Sequence, residues 1–341
     1  MRRGELALAS LSVLSLLLLL LAAEGAARLL AEGAARDEMA RLYRYSEEYG
    51  WEPRREFRGR FDGRLVTTNR EGLRGPERSR LPGPGVHRIV LIGDSVAFGF
   101  DVSDHETFAR ALEAKRAERE VLNFAVQGYG TDQSLLRLER EGLARRPRLV
   151  LLAFCLGNDF FDNALRRFLY DGQHPKPYFT LEGGELELHA EHLRLGAAQR
   201  LGGFLQQHSR LFSRVVSAGT RDAGPHWQRT VLRLEERWPP LVRLAARLLG
   251  RMDASVRAAG GELLVALFPY RRSWDGETER VDFLKRLLRE EEGVAFVDMA
   301  EGFRARGLEF DALAVDKLGH LNARGHAAAA EVLEEALGER E

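Results

Sequence analysis

The stretch of sequence that most constrains the fold is a short apolar run that ends in a glycine, an aspartate and a serine. Residues 89–92 are all apolar, and Gly93, Asp94 and Ser95 follow them directly. An apolar run that ends at a turn signal predicts a buried strand. Ligands of open α/β sheets gather outside the carboxyl ends of the strands. The run therefore predicts that Ser95 lies where chemistry takes place, although the tripeptide alone also fits an ordinary turn.

The residues after Ser95 alternate between apolar runs and helical patterns. Further strands are predicted at residues 121–126, 149–155, 263–268 and 294–299. Helices are predicted between them, with Thr131 and Asn322 as N-caps of two of these helices. Strands that alternate with helices are typical of a parallel sheet, so we expect an α/β fold. Residues 160–225 interrupt this alternation and predict an insertion, which includes a hairpin around Gly183 and Gly184.

The amino terminus carries a long uncharged apolar run. Residues 6–23 form this run, and Arg2 and Arg3 precede it. As a helix, 18 residues extend about 27 Å at roughly 1.5 Å per residue, close to a hydrocarbon core of about 30 Å. We favour a retained anchor over a cleaved signal peptide, because the apolar part of a signal peptide has roughly 7–15 residues. The arginines then place the amino terminus in the cytoplasm and the rest of the chain outside it, and cleavage would make the protein secreted.

Three domains are predicted from these patterns. Residues 1–33 form the anchor and the start of a stalk. Residues 34–85 form a membrane-proximal stalk, predicted helical to residue 48, and an edge hairpin at residues 57–68 that turns at Asp62 and Gly63. A Pro/Gly cluster then leads into the main domain, residues 86–341.

Composition excludes several classes of function. Lys plus Arg and Asp plus Glu both number 51, and a nucleic-acid binder would show a basic excess. Cys155 is the single cysteine, so neither an intrachain disulfide nor a cysteine-based metal site is possible. We predict no cofactor and no metal.

The residues needed for nucleophilic catalysis follow the predicted strands. A serine hydroxyl is a weak nucleophile that needs a base, and a carboxylate orients that base. Ser95 is the candidate nucleophile, and His320 and Asp316 share a later loop. A developing oxyanion needs donors fixed in advance, and the Gly128 backbone and the Asn158 amide can provide them. Each of these residues alone fits a turn or a cap as well.

Together and in this order, the motifs resemble those of the SGNH/GDSL hydrolase family. They are Gly93-Asp94-Ser95-Val96, residues 123–128, Gly157-Asn158-Asp159, and the segment from Asp316 to His326. The resemblance implies a flavodoxin-like three-layer α/β/α sandwich around a parallel sheet. It also implies ester hydrolysis without a metal, with Ser95, Gly128 and Asn158 as the oxyanion hole.

Two departures from the family pattern bear on the site. Val96 replaces the usual leucine, and Asp316 lies four residues before His320 rather than two or three. Asp311 is therefore the alternative orienting carboxylate.

The predicted function is a membrane-anchored serine esterase. It would act on O-acyl groups, for example acetyl groups, of an extracytoplasmic glycan or lipid. An O-acyltransferase that uses the same serine and a degenerate binding or scaffold protein are the alternatives. The sequence assigns no substrate-binding residues.

Overall fold

A five-stranded parallel sheet lies at the centre of the fold. The computed structural model describes residues 3–29, 41–61, 63–168, 175–194, 196, 201–202, 205, 209, 211–212, 234 and 236–338. The strands of the sheet are β5 (His87–Gly93), β6 (Arg119–Asn123), β7 (Leu149–Cys155), β10 (Glu262–Phe268) and β11 (Phe296–Asp298). They lie in the order β6-β5-β7-β10-β11, and all of the pairings are parallel. This is the 2-1-3-4-5 order of flavodoxin-like folds, so the predicted fold class is confirmed.

The central strands form because nearly every residue in them is apolar. All seven residues of β7 are buried, and β7 pairs with β5 on one side and with β10 on the other. A parallel strand that is covered on both faces reads as a continuous apolar run. The strand predictions at residues 149–155 and 263–268 therefore match the observed strands to within one residue.

Helices cover both faces of the sheet. Val90 and Ile92 face one apolar cluster, and Ile89 and Leu91 face the other, as the alternation of side chains along a strand requires. The α-helices that can be bounded in the described residues after the first strand of the sheet are α2 (Ser95–Phe98), α3 (Phe108–Ala114), α4 (Thr131–Arg137), α5 (Asp159–Asp162), α6 (Trp238–Ala258), α7 (Arg271–Trp274), α8 (Glu279–Leu287), α9 (Met299–Ala305), α10 (Phe310–Leu313) and α11 (Ala323–Gly338). Residues of α4, α6 and α8 join the first cluster, and residues of α3, α9 and α11 join the second. The result is the predicted three-layer sandwich.

The two predicted helix caps have different outcomes. Asn322 precedes α11, and its Oδ1 accepts a hydrogen bond from the Gly325 N–H at 2.9 Å, which confirms this cap. The prediction for Thr131 is wrong by one residue, since α4 begins at Thr131 and Gly130 is its N-cap. Gly130 takes this place because the Gln133 side chain accepts from its N–H at 3.3 Å.

The membrane-proximal segment differs from the prediction. The strands β1 (Tyr43–Ser46) and β2 (Gly50–Pro53) form an antiparallel hairpin, so the helical stalk is wrong from Tyr43 onwards. Residues 30–40 of that stalk lie outside the described residues. The segment forms a hairpin despite its helix propensity because the hairpin buries aromatic side chains, among them Tyr49 and Trp51, against the main domain.

The predicted hairpin at residues 57–68 is confirmed as β3 (Arg58–Phe61) and β4 (Arg64–Thr67). Gly63 adopts a φ of +82° in its turn, while Asp62 lies outside the described residues. The domain boundaries themselves stay predictions.

The insertion carries the hairpin that the sequence predicts. It consists of β8 (Tyr178–Glu182) and β9 (Glu185–His189), paired antiparallel. Most of residues 195–233 lie outside the described part of the chain.

The amino-terminal helix α1 spans Arg3–Leu29. Within the described residues, one helix is long and apolar enough to cross a membrane, and its apolar window is Ser12–Leu29. Only 6% of that window is buried inside the protein. A signal sequence passes the same test of length and composition.

Candidate active site

Ser95 lies directly after the central strand β5, at the start of α2. Gly93 permits this turn, because its φ is +139° and a Cβ there would lie 2.6 Å from the Ala153 carbonyl oxygen. Asp94 caps α2 by accepting a hydrogen bond from the Val96 N–H at 2.9 Å. The local sequence therefore fixes the serine at the point where the strand order reverses, between β5 and β7.

His320 reaches the serine from a loop far along the chain. Its Nε2 lies 2.7 Å from the Ser95 Oγ, across 225 residues of sequence. The loop turns at Gly319, whose φ is +94°, and a Cβ there would lie 2.3 Å from the Pro269 carbonyl oxygen. The Phe100 ring packs against the imidazole, with 4.7 Å between the ring centroids. Backbone and ring contacts thus hold the imidazole beside the hydroxyl.

Asp316 completes this chain of hydrogen bonds. Its Oδ2 lies 2.6 Å from the His320 Nδ1. Its Oδ1 accepts three backbone N–H groups, from Leu318, Gly319 and His320, at 3.0 to 3.2 Å. The carboxylate therefore organises the loop that carries the histidine, which explains how a spacing of four residues still brings the two side chains together. Asp311, the alternative carboxylate, instead accepts a hydrogen bond from Arg271 at 2.7 Å.

The charge of Asp316 fixes the tautomer of the histidine. Burial opposes ionisation of this half-exposed carboxyl, but the hydrogen bonds and the charge of His320 outweigh it and lower the pKa of Asp316. An ionised carboxylate only accepts hydrogen bonds, so the proton of the neutral imidazole lies on Nδ1. The Nε2 lone pair then faces the Ser95 hydroxyl, which is the arrangement of a general base and its nucleophile.

Asn158 lies at the end of the neighbouring strand, β7. It is the N-cap of the short helix α5, and its Nδ2 donates to the Asp94 Oδ2 at 3.1 Å and to the Asp162 Oδ2 at 2.7 Å. The same Asp94 Oδ2 is 3.5 Å from the Ser95 Oγ. The amide of Asn158 is therefore directed towards the surroundings of the serine.

Gly128 lies in the turn after β6, on the other side of β5. Its φ is +76°, and a Cβ there would lie 2.2 Å from the Phe168 Cε2, so a side chain does not fit. The Val126 N–H donates to the Gly93 carbonyl at 3.0 Å, which holds this segment against the end of β5. The three predicted oxyanion residues thus follow three adjacent strands, as the sequence suggests. Their catalytic roles stay predictions.

A group of buried carboxylates behind the site was not predicted. Asp132, Asp159 and Asp162 are buried together with Asp94. Burial raises the pKa of each of the four, and that of Asp162 reaches about 8. Lys176 is buried among them, pairs with Asp132 and donates to the Asp162 main-chain carbonyl at 3.0 Å. The repeat of acidic residues at 159 and 162 in an otherwise apolar helix was the available signal.

Two other reactive side chains have structural roles. His326 is fully buried, its Nδ1 accepts from the Phe108 N–H at 3.2 Å, and burial lowers its pKa to about 3. It is therefore a neutral support for the fold. Burial also raises the pKa of the Cys155 thiol well above its usual value, and nearby Asp94 adds to this, so the thiol is a core group and no nucleophile.

The motifs that follow β5, β6 and β7 and precede α11 match a known family. The model of the GDSL-like lipase/acylhydrolase family matches residues 91–328, more than two thirds of the chain. The chain belongs to this family. As a GDSL-like acylhydrolase it is an enzyme that hydrolyses esters.

Solved structures of similar fold come from several bacteria. The lipase/acylhydrolase from Enterococcus faecalis is 14% identical, with a TM-score of 0.43, and the match covers 75% of this chain and 97% of that one. A catalytic mutant of an acetylxylan esterase from Geobacillus stearothermophilus is 13% identical, with a TM-score of 0.43 and coverages of 76% and 97%. A G-D-S-L family member from Veillonella parvula is 12% identical, with a TM-score of 0.41 and coverages of 74% and 98%. No curated protein sequence matches the chain.

Within the described residues, no group of three or more His, Cys, Asp or Glu side chains is arranged to hold a metal ion.

Proposed function

We propose that this GDSL-like hydrolase cleaves O-acyl esters with Ser95 as nucleophile, His320 as general base and Asp316 as the orienting carboxylate. The observation that carries the proposal is the unbroken chain of hydrogen bonds, 2.7 Å from the Ser95 Oγ to the His320 Nε2 and 2.6 Å from Nδ1 to Asp316. Both distances lie within the reach that proton transfer needs.

In the first half of the reaction, the Ser95 Oγ bonds to the acyl carbon and its proton passes to the His320 Nε2. Asp316 stabilises the imidazolium that forms. The carbon–oxygen bond to the alcohol then breaks, and the proton on Nε2 goes to the departing alkoxide. The acyl group remains on Ser95.

In the second half, water takes the place of the alcohol. His320 removes a proton from the water as its oxygen bonds to the acyl carbon. The ester bond to the Ser95 Oγ breaks, the proton returns to the Oγ, and the carboxylic acid leaves.

The tetrahedral intermediate of each half carries a negative oxygen. The proposed donors to it are the backbone N–H groups of Ser95 and Gly128 and the side-chain amide of Asn158. Removing one such donor from a serine hydrolase lowers kcat by about 10²–10³-fold. The position of these residues after adjacent strands around β5 supports this assignment.

The helix α1 supports an extracytoplasmic location. We propose that it is retained as an anchor, that the amino terminus faces the cytoplasm, and that the hydrolase domain meets its substrate outside. An O-acyl group, such as acetyl, on a glycan or lipid would then be the natural substrate.

The full-length protein in detergent, incubated with p-nitrophenyl acetate, tests the proposal. We expect wild type to release p-nitrophenol and Ser95→Ala to lose this activity, while Ser95→Ala keeps the melting temperature of wild type. Equal rates in the two proteins would remove the assignment of Ser95.

Two further measurements separate the alternatives. If a glycan is added and O-acetylated glycan forms faster than free acetate, the enzyme is an O-acyltransferase. If a fluorophosphonate fails to label Ser95 in the wild-type protein, the site is degenerate and the chain is a binding or scaffold protein.

A further inference from the structure

The side-chain amide of Asn158 is held by two carboxylates with different surroundings. One N–H of its Nδ2 reaches the Asp94 Oδ2 and the other reaches the Asp162 Oδ2, at 3.1 and 2.7 Å. A primary amide has two N–H donors, so these two contacts fix the plane of the amide.

The two contacts have different positions relative to Ser95. The Asp94 Oδ2, which accepts one N–H of Asn158 at 3.1 Å, lies 3.5 Å from the Ser95 Oγ, so this N–H is the one on the Ser95 side of the amide. The N–H that points to Asp162 is directed to α5. For an oxyanion to bind Asn158, the first N–H has to leave the Asp94 Oδ2, while the second can keep Asp162 as its partner.

Asp162 is itself held rigidly. It is buried on α5, four residues after Asn158, and it faces Asp94 and Asp132 as well as the Lys176 ammonium. Lys176 donates to the main-chain carbonyl of Asp162 at 3.0 Å and pairs with Asp132. A catalytic donor keeps its position when the residues that contact it are themselves held by packing and hydrogen bonds.

We propose that Asp162 is a positioning residue for the oxyanion hole: its carboxyl oxygen holds one N–H of Asn158 so that the other N–H meets the oxyanion at Ser95. This inference rests on the proposed role of Asn158. In this proposal Asp162 acts as the hydrogen-bond acceptor that the 2.7 Å contact from the Asn158 Nδ2 shows.

The pKa of Asp162 is consistent with a role as an acceptor that needs no negative charge. Burial raises its pKa to about 8, so its surroundings disfavour the charged form. The Asp162 Oδ2 can accept from the Asn158 Nδ2 whether or not the other oxygen carries a proton. An asparagine at position 162 offers a carbonyl oxygen in the same place, whereas alanine offers no acceptor.

The test is a set of steady-state measurements on the full-length protein with p-nitrophenyl acetate. We expect Asn158→Ala to lower kcat by about 10²–10³-fold. Asp162→Ala should lower kcat by about 10–100-fold with KM within about twofold, since only the transition-state interaction is lost. Asp162→Asn should stay within about threefold of wild type. The double variant should be no slower than Asn158→Ala, because residues that act through one another are not additive.

Asp159→Ala is the matched control. Asp159 is buried on the same helix, but its Oδ2 accepts from the Cys155 N–H at 2.6 Å and not from Asn158. We expect this variant to lower the melting temperature as much as Asp162→Ala does while kcat stays within about threefold of wild type. If Asp162→Ala does not fold, Asp162→Leu replaces it, since leucine fills the space without an acceptor.

The outcomes separate the two proposals. If Asn158→Ala keeps the wild-type kcat, the proposed oxyanion hole fails and the inference fails with it. If Asn158→Ala is slow but Asp162→Ala is not, or if the losses multiply in the double variant, Asp162 does not act through Asn158 and only the present inference is overturned. A loss of more than tenfold in Asp162→Asn would also overturn it, because the acceptor is then insufficient.

Discussion

Two sets of carboxyl groups lie near Ser95, and their surroundings shift their pKa values in opposite directions. Asp316 is 37% exposed, lies against His320 and accepts backbone N–H groups, and these contacts lower its pKa. Asp162 and its buried neighbours have their pKa raised by burial. The same type of side chain is thus favoured in its charged form on the histidine side of the site and disfavoured in that form on the asparagine side. Environment, not residue type, decides which role a carboxyl group takes.

The largest expected effect comes from the charged side. Asp316→Asn keeps the size of the side chain but removes the charge that fixes the His320 tautomer, and in serine hydrolases this change lowers kcat by about 10⁴-fold. The measurement is kcat for p-nitrophenyl acetate at pH 8. A loss below tenfold would show that the negative charge is not needed, and the contrast between the two sides would disappear.

The second effect concerns the cation on the buried side. Lys176→Met leaves Asp132 without its partner in the core, and breaking a buried ion pair in this way costs about 3–5 kcal/mol of unfolding free energy. Urea unfolding followed by tryptophan fluorescence measures this loss. Adding Asp132→Asn should recover most of the stability, since no charge is then left unpaired. If it recovers none, the ammonium of Lys176 stabilises the fold through its other contacts.

A smaller effect is expected from pH. The folded pKa of Asp162, about 8, exceeds the unfolded value of about 3.9, so its contribution to stability is complete below pH 4 and is lost as the pH rises through 8. Asp316 has the opposite sign, since its lowered pKa stabilises the fold above pH 4. We expect the melting temperature to fall by at least about 3 °C between pH 5 and pH 8.5. The melting temperature of Asp162→Asn should fall less over the same pH range. An equal fall in wild type and variant would contradict the raised pKa of Asp162.

The smallest effect is expected at Asp311. Its side chain is 83% exposed and pairs with Arg271 at the surface, where ion pairs contribute little. Asp311→Asn should change kcat by less than about twofold. It is the control for Asp316→Asn, and a large loss of activity here would reinstate Asp311 as the orienting carboxylate.

The sequence predicts those parts of the fold that depend on local pattern. The fully apolar run of β7 is typical of a strand in a parallel sheet, and Gly93 and Asp94 after the apolar run predict the turn that carries Ser95. The proximity of Ser95, Gly128 and Asn158 follows from one rule, that parallel strands end at the same edge. The position of the Asp316 loop in the sequence was predictable. Its conformation was not, because it depends on the positive φ of Gly319 and on three backbone hydrogen bonds to the Asp316 carboxylate.

The rest depends on contacts between distant residues. Residues 43–53 follow a segment of helix-forming residues, yet they pair as strands. They do so because the Trp51 ring packs against Tyr129 and its Nε1 donates a hydrogen bond to the Gln127 carbonyl oxygen. Lys176 and Asp132 are 44 residues apart, and no spacing rule connects them. Asp162 lies within about one helical turn of Asn158, so its proximity was predictable, whereas its burial and its raised pKa were not.

The hairpin of Tyr49 and Trp51 has a practical consequence for anyone who shortens the gene. The family match begins at residue 91. A fragment that starts there would lack Tyr49 and Trp51, and the apolar residues that these two rings cover would be exposed to solvent. Exposed apolar patches of that kind promote aggregation. The smallest well-behaved fragment should therefore start before Leu42, which is itself fully buried.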